Sequence, residues 1–359
     1  MKDPLYFHRP EYAARLVSSL KDGITHAFTL FAPRRMGKTQ FLLQDIAPLA
    51  DAEGFNVFYF SFMDTADPAA DFQAALYGFV RSIRSTGRAK TFIGSISKIE
   101  AMGFGIERET AREAVPRLSE LIGLAAADNR PSLLLLDEVQ ELARGKAAAD
   151  LIKSLRTGLD VCKDRVKTIF TGSSTNGLRA MFNDNKAPFF HFAHALDFPL
   201  LGREFTDFLA GIYQERTGKD IDHAELYALF ERLHHTPMYL RAIIQDMILN
   251  PALSLGEAAA YRMAEINSVQ AEAEQWAQMK PLERAIIRDI AAGDAAPYSQ
   301  AARRRYAALL GVESIGPGSV QSAIKRMKRR EWLSTDAQGR LIVGSPLLQT
   351  WIVENIGTV

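Results

Sequence analysis

Ala32-Pro33-Arg34-Arg35-Met36-Gly37-Lys38-Thr39 follows the apolar run Ala27 to Phe31 and leads into a helix-like run from Gln40 to Ala47. Strand, turn, Gly-Lys-Thr and helix is the order that a phosphate-binding loop requires. In such a loop the backbone N–H groups wrap a β-phosphate, and the partial positive charge of the helix N-terminus faces the same anion. On this reading Ala32, Pro33, Arg34, Arg35, Met36, Gly37, Lys38, Thr39 and Gln40 form the cradle. Lys38 reaches the β- and γ-phosphates, and the Thr39 hydroxyl binds Mg²⁺. One position departs from the pattern Gly-x-x-x-x-Gly-Lys-Ser/Thr, because its first glycine is Ala32. A methyl group is small, so a loop with ordinary dihedrals at that position keeps its shape.

A second chemical feature lies about a hundred residues downstream, at Leu133-Leu134-Leu135-Leu136-Asp137-Glu138. A strand apolar on both faces belongs in the middle of a parallel sheet covered by helices. Two carboxylates at its C-terminal end then face the phosphate loop. Asp137 is expected to hold Mg²⁺, directly or through water, and Glu138 to polarise the attacking water as a general base. Buried strands ending in a solvated acid pair are common, and the phosphate loop upstream is what favours the catalytic reading.

Further strands are expected at 25–31, 56–62, 166–171 and 195–200, with helices over 3–23, 68–86, 109–127 and 146–160 between them. Phe92 to Ser97 and Ala101 to Glu107 read as a Gly-punctuated loop or small hairpin. Five strands alternating with helices indicate a three-layer α/β domain over residues 1–202. The 166–171 strand runs into Gly172-Ser173-Ser174-Thr175-Asn176. Small polar side chains there suit a γ-phosphate or a lytic water, and a plain polar turn has the same composition. Residues 203–275 are helical throughout and form a subdomain hung on the sheet.

Residues 276–359 make a third unit. Helices are expected at 282–293 and 299–310, and a third is capped by Ser319 after a Gly316-Pro317-Gly318 turn. Short strands at 332–334 and 340–343 flank a hairpin turn, and a closing helix carries Leu347, Leu348 and Trp351. Three helices and a hairpin are the layout of a winged helix-turn-helix. From Trp276 onward the charge is roughly +5, against about −4 for the rest of the chain. Arg303 and Arg304 on the second helix and Lys325, Arg326, Lys328 and Arg329 on the third are the expected contacts to double-stranded DNA. The competing reading is a protein-docking winged helix whose charges are solvated.

Composition excludes several classes. The single cysteine, Cys162, allows no disulfide framework and no cysteine-based metal site. The seven histidines show no metal-ligand spacing. No window approaches the ~18 apolar residues of a membrane span. Met1-Lys2-Asp3-Pro4 has no apolar signal region, so a cytoplasmic protein is expected. A net charge of +1 says nothing about partners.

Taken together, Arg34 to Thr39, Leu133 to Gln140 and Thr171 to Ser174 resemble the archaeal-type P-loop ATPases, a group related to the STAND signalling ATPases and the AAA+ initiators of replication origins. The resemblance extends over most of the chain. It implies an additional-strand core with sheet order 5-1-4-3-2, in which Ser173 or Ser174 senses the γ-phosphate. Phe7 to Glu11 is similar to a leading motif that places Arg9 against the nucleotide base. Ile96 to Ile106 is similar to a Gly-containing insertion. Thr236-Pro237-Met238-Tyr239-Leu240 is similar to a Gly-x-Pro-x-Tyr-Leu lid motif, with His234-His235 in place of Gly-Gly, and makes Arg241 a second sensor. Many relatives carry Leu-Tyr-Gly-Arg where this chain has Pro188 to Phe192, and no arginine lies between Arg179 and Arg203. Arg203 or Arg179 would have to substitute, or hydrolysis is slow. The expected protein is therefore an ATP- and Mg²⁺-dependent switch with a DNA-binding winged helix, and self-assembly into a homo-oligomer is a further reading. The alternative is a nucleotide-bound regulatory, signalling or scaffold protein with negligible hydrolysis, whose winged helix docks protein or holds itself closed.

Overall fold

The computed structural model describes residues 3–63, 67–86, 92–94, 116–144, 148–172, 182, 189, 191–267, 270–293, 296–336 and 339–356. They form two compact units, one of residues His8–Phe198 and one of Met1–Phe7 with Pro199–Val359.

The first unit opens with helix α1 (Pro10–Lys21), whose buried stripe is Ala13, Leu16, Val17 and Leu20, and Gly23 ends it in the left-handed region. Strand β1 (Ala27–Phe31) follows. After the phosphate loop come α2 (Lys38–Phe41), a π-helical turn (Leu42–Ile46) and α3 (Ala47–Ala52). The chain continues through β2 (Asn56–Ser61), α4 (Pro68–Thr86), β3 (Phe92–Gly94), α5 (Leu118–Ala126) and β4 (Ser132–Asp137). It then runs through a 3₁₀ turn (Val139–Arg144), α6 (Ala148–Val161), β5 (Val166–Gly172) and β6 (His194–Asp197). The six strands are all parallel, in the order β3-β2-β4-β5-β1-β6. Without β3 this is the expected order 5-1-4-3-2.

Alternation along each strand divides the sheet's two faces between two cores. Phe58, Phe60, Leu134 and Leu136 pack with α4, α5 and α6. Val57, Tyr59, Leu133 and Leu135 pack with α1, α2 and α3. A strand buried on both sides needs this continuous apolar run, which explains why β4 reads Leu-Leu-Leu-Leu.

Three expectations change in this unit. Residues 92–94 are neither loop nor hairpin; they pair in parallel with β2, Phe58 opposite Phe92. The helix α4 between the two strands carries the chain back across the sheet, and a helical crossover delivers a parallel strand. The helix expected over 109–127 is observed at Leu118–Ala126, and residues 95–115 lie outside the described residues. The last strand ends at Asp197, short of Leu200.

In the second unit, α7 (Arg203–Thr217), α8 (His223–Arg232), α9 (Pro237–Leu249) and α10 (Leu255–Asn267) share one core that includes Phe205, Leu226, Phe230 and Leu240. Helix α11 (Gln270–Gln278) leads to α12 (Pro281–Ala291), α13 (Gln300–Leu310), α14 (Pro317–Arg329), the antiparallel pair β7 (Leu333–Thr335) and β8 (Leu341–Val343), and α15 (Pro346–Ile356). These last elements have their own core, with Ile286, Tyr306, Ile324, Leu333 and Leu348 in it. Ser299 caps α13, its hydroxyl accepting from the Ala302 N–H at 3.1 Å. Ser319 does not cap α14. That helix starts two residues earlier, with Gly316 at the cap and Pro317 at its first position, where the fixed proline φ and missing N–H suit a helix start. Among the described residues no helix is long and apolar enough to cross a membrane.

Candidate nucleotide-binding site

The parallel register brings the C-terminal ends of five strands to one edge. Phe31 is opposite Gly172 and Asp197, and Ser61 is opposite Asp137. The loop after β1 turns over this edge. Gly37 has φ 87, a left-handed conformation that glycine adopts without strain, and Arg35 shares it at φ 69. Ala32 is not among the residues with positive φ. Its methyl is buried with Met36 in the core under the loop, so the glycine-to-alanine difference is accommodated by packing.

Lys38, only 5% exposed, folds back over the loop and donates to the Ala32 and Pro33 carbonyls, both at 2.8 Å. Burial pushes its ammonium down to about 8. Glu138 and Asp137 oppose that shift, and Arg34 adds to it. Thr39 donates to Asp137 Oδ2 at 2.6 Å. Gln40 is half-buried on the first turn of the helix, and Arg34 and Arg35 are exposed.

Asp137 is 1% exposed and fully engaged. Oδ2 accepts from Thr39 and, at 3.2 Å, from the Tyr59 hydroxyl. Oδ1 accepts from the Thr171 hydroxyl and from the Glu138 N–H, the latter at 3.1 Å. Burial, with the Asp137 charge beside it, pushes the Tyr59 phenol up, so it stays a donor. The sequence assigns no role to Tyr59, or to Thr171 at the head of the Thr171 to Ser174 stretch. Their signal is positional: each places a hydroxyl near the C-terminal end of a strand flanking β4, and only strand order reveals that.

Glu138 leaves the strand at φ 55 and accepts from the Gln140 amide at 2.5 Å. Among the described residues no group of three or more His, Cys, Asp or Glu is placed to hold a metal. The oxygens of Thr39 and Asp137, in contact at the loop, do fit Mg²⁺. That ion is held by few protein oxygens and completes its shell with water and phosphate.

Farther along the segment that follows the loop, Asp45 of the π-turn is buried. It accepts from the Arg9 N–H at 3.0 Å and pairs with His8 Nδ1 at 2.6 Å. The Arg9 guanidinium stacks 4.2 Å from the Phe198 ring centroid, and Tyr12 stacks on Phe41. Arg9 is thus pinned to the helix that follows the loop.

Other expected site residues divide. Ser173, Ser174 and Arg179 lie outside the described residues. Arg241, in the second unit, pairs with Asp3 at 2.5 Å. Arg203 stacks on Tyr227. His234 and His235 both have φ 51, which gives a physical reason for glycines at this place; here His234 Nε2 contacts Thr350 Oγ1 at 2.7 Å and His235 Nδ1 contacts the Leu201 carbonyl at 3.1 Å. Of the six expected DNA contacts, Arg304, Lys325 and Arg329 are exposed. Arg326 pairs with buried Glu283 at 2.8 Å, Lys328 donates to the Thr335 hydroxyl at 2.5 Å, and Arg303 donates to the Tyr298 and Ile315 carbonyls.

No family model and no curated protein sequence matches the chain. Solved structures do. A Walker-type ATPase of Pyrococcus abyssi is similar over 96% of this chain and 95% of its own, with TM-score 0.63 and 18% identity. The ORC2 protein of Aeropyrum pernix, in ADPNP and ADP complexes, is similar over 96% of this chain and 93% of its own, with TM-score 0.54 and 16% identity. Its ADP form gives TM-score 0.53 at 17% identity over 97% of this chain and 92% of its own. The chain therefore has the fold of Walker-type P-loop ATPases.

Proposed function

We propose that the protein is a slow ATP-hydrolysing switch that uses Mg²⁺ and whose C-terminal unit, read as a winged helix, binds double-stranded DNA. The observation that carries the first half is the contact of Thr39 with Asp137 at 2.6 Å, with Lys38 and Glu138 beside it on one sheet edge. A like fold in the ORC2 protein holds ADPNP and ADP, which supports a nucleotide here.

The roles follow from the chemistry of the groups. Lys38 exchanges its two carbonyl partners for phosphate oxygens, which favour its charged form. Backbone N–H groups of the loop take the β-phosphate. Thr39 and Asp137 would hold a Mg²⁺ ion through its shell, and a bound ion would supply positive charge against the phosphates. Tyr59 and Thr171 keep the Asp137 carboxylate turned toward Thr39. Glu138 takes the proton of the attacking water. Arg9, with Phe198 beneath it, forms one wall for the base. Ser173 or Ser174 contacts the γ-phosphate, and Arg241 acts as the lid's sensor. Hydrolysis is slow because residues 180–202 contain no arginine to complete the transition-state charge.

For DNA, exposed Lys325 and Arg329 on α14 and Arg304 on α13 are the contacts, while Arg303, Arg326 and Lys328 shape the unit that presents them. ATP biases the arrangement that binds DNA, and hydrolysis resets it. Purified protein is expected to bind ATP with Mg²⁺ and turn it over slowly, and Lys38→Ala to lose both properties. Binding by Lys38→Ala equal to wild type would refute the site.

A further inference from the structure

The turn that leaves β4 holds a side chain to which the proposed mechanism gives no task. Glu138 has φ 55, in the left-handed region that a non-glycine residue occupies at a cost. Its carbonyl accepts from the Glu141 N–H at 3.0 Å, which starts the 3₁₀ turn Val139–Arg144. That tight turn brings Gln140 back over Glu138, so that Nε2 donates to Glu138 Oε2 at 2.5 Å. Gln140 is 4% exposed, and its own carbonyl oxygen Oε1 is buried without a hydrogen-bond partner.

These facts decide what the amide is for. A buried carbonyl without a partner opposes folding. An apolar side chain of the same length would fill the space without that cost. The amide orientation is also fixed, because a carboxylate only accepts, so the NH₂ faces Glu138 and the carbonyl takes the unpartnered side. What the glutamine adds is one charge-assisted donor on the carboxylate. A general base must lie within hydrogen-bond reach of the proton it takes, and small misplacements are costly in rate.

We infer that Gln140 is a positioning residue: it anchors Oε2 of Glu138 and so sets the direction in which the carboxylate meets the attacking water. This inference rests on the hydrolytic reading of the site. The effect of Gln140 passes through the Glu138 carboxylate.

Gln140→Met keeps length and volume and removes the donor. Its kcat for ATP is expected to fall about ten- to a hundredfold, with KM and the affinity for a non-hydrolysable ATP analogue within about twofold of wild type. Gln140→Asn, one methylene short of the carboxylate, is expected to behave like Gln140→Met, which separates reach from polarity. In a Glu138→Gln background, Gln140→Met is expected to cause no further loss, because its effect passes through the carboxylate. A crystal structure of ligand-free Gln140→Met should show the Glu138 carboxylate turned from its wild-type position, and the thermal midpoint should not fall. A merely structural glutamine would instead lower the midpoint and the nucleotide affinity together. An unchanged kcat in Gln140→Met, an equal loss in the Glu138→Gln background, or an unmoved carboxylate overturns the inference while leaving the ATPase reading intact. Wild type that binds ATP with Mg²⁺ but never turns it over refutes the hydrolytic reading and removes this inference with it.

Discussion

At the residue scale, the sequence made the meeting of Lys38, Thr39, Asp137 and Glu138 at one sheet edge legible, because each belongs to a short motif with a defined place in such a sheet. The partners of Asp137 were illegible for the opposite reason. Tyr59 lies 78 residues before it and Thr171 34 residues after, and strand register alone unites their hydroxyls on one carboxylate. The burial of Lys38 gives a pH prediction. With its ammonium at about 8 in the free protein, the lysine is charged below that pH and neutral above it. A polyphosphate favours the charged form, so binding above pH 8 must take up a proton. The affinity for a non-hydrolysable ATP analogue is therefore expected to weaken as pH rises, approaching about tenfold per pH unit above 8.5. Titration calorimetry at pH 7.5, 8.5 and 9.5 checks this. Lys38→Arg, whose guanidinium stays protonated, should bind with a flat profile across the same range. A flat profile in wild type would mean that the lysine keeps its charge in the loop.

At the scale of elements, hydrophobic periodicity located most helices and strands, because burial of one stripe or of both strand faces imprints itself locally. The failures are also local in origin. Ser319 looked like a cap, yet Pro317 two residues earlier is the better helix start. Phe92 to Gly94 looked like a loop because an edge strand of three residues is too short to show a period. Gly344 illustrates a constraint that sequence hides entirely. A Cβ there would lie 1.9 Å from the Glu331 carbonyl oxygen, where β8 ends against the turn before β7. Gly344→Ala is expected to destabilise the C-terminal unit by about 1–3 kcal/mol, seen as an earlier unfolding transition in urea; an unshifted transition would show that the turn yields freely. The exposed face of α14 carries the DNA prediction. Affinity for duplex DNA should fall steeply with salt, and Lys325→Glu and Arg329→Glu should each reduce the slope of log affinity against log salt by about one. Arg326→Glu should instead lower stability, since it would face buried Glu283. Salt-independent binding would favour protein docking by this unit.

For the whole molecule, the chain divides into an α/β unit with the candidate nucleotide site and a second unit that carries the exposed basic helix. The fold of the first was readable because a central strand apolar on both faces, a phosphate loop and an acid pair are consistent with one sheet order. The sequence suggested separate lid and winged-helix domains, and the structure groups both segments, each around its own core, in one compact unit. A switch must couple its sites, and the coupling is reciprocal: any factor by which ATP changes DNA affinity must equal the factor by which DNA changes ATP affinity. All of this presupposes that Glu138 acts on water bound beside a nucleotide held by Lys38 and Thr39. The most direct measurement is single-turnover hydrolysis of ATP by wild type and Glu138→Gln, alongside their affinities for ATP with Mg²⁺. The account predicts slow turnover in wild type and at least about a hundredfold loss in Glu138→Gln, with affinity unchanged or tighter. Equal turnover in the two proteins, or a loss that only follows weakened binding, would contradict it.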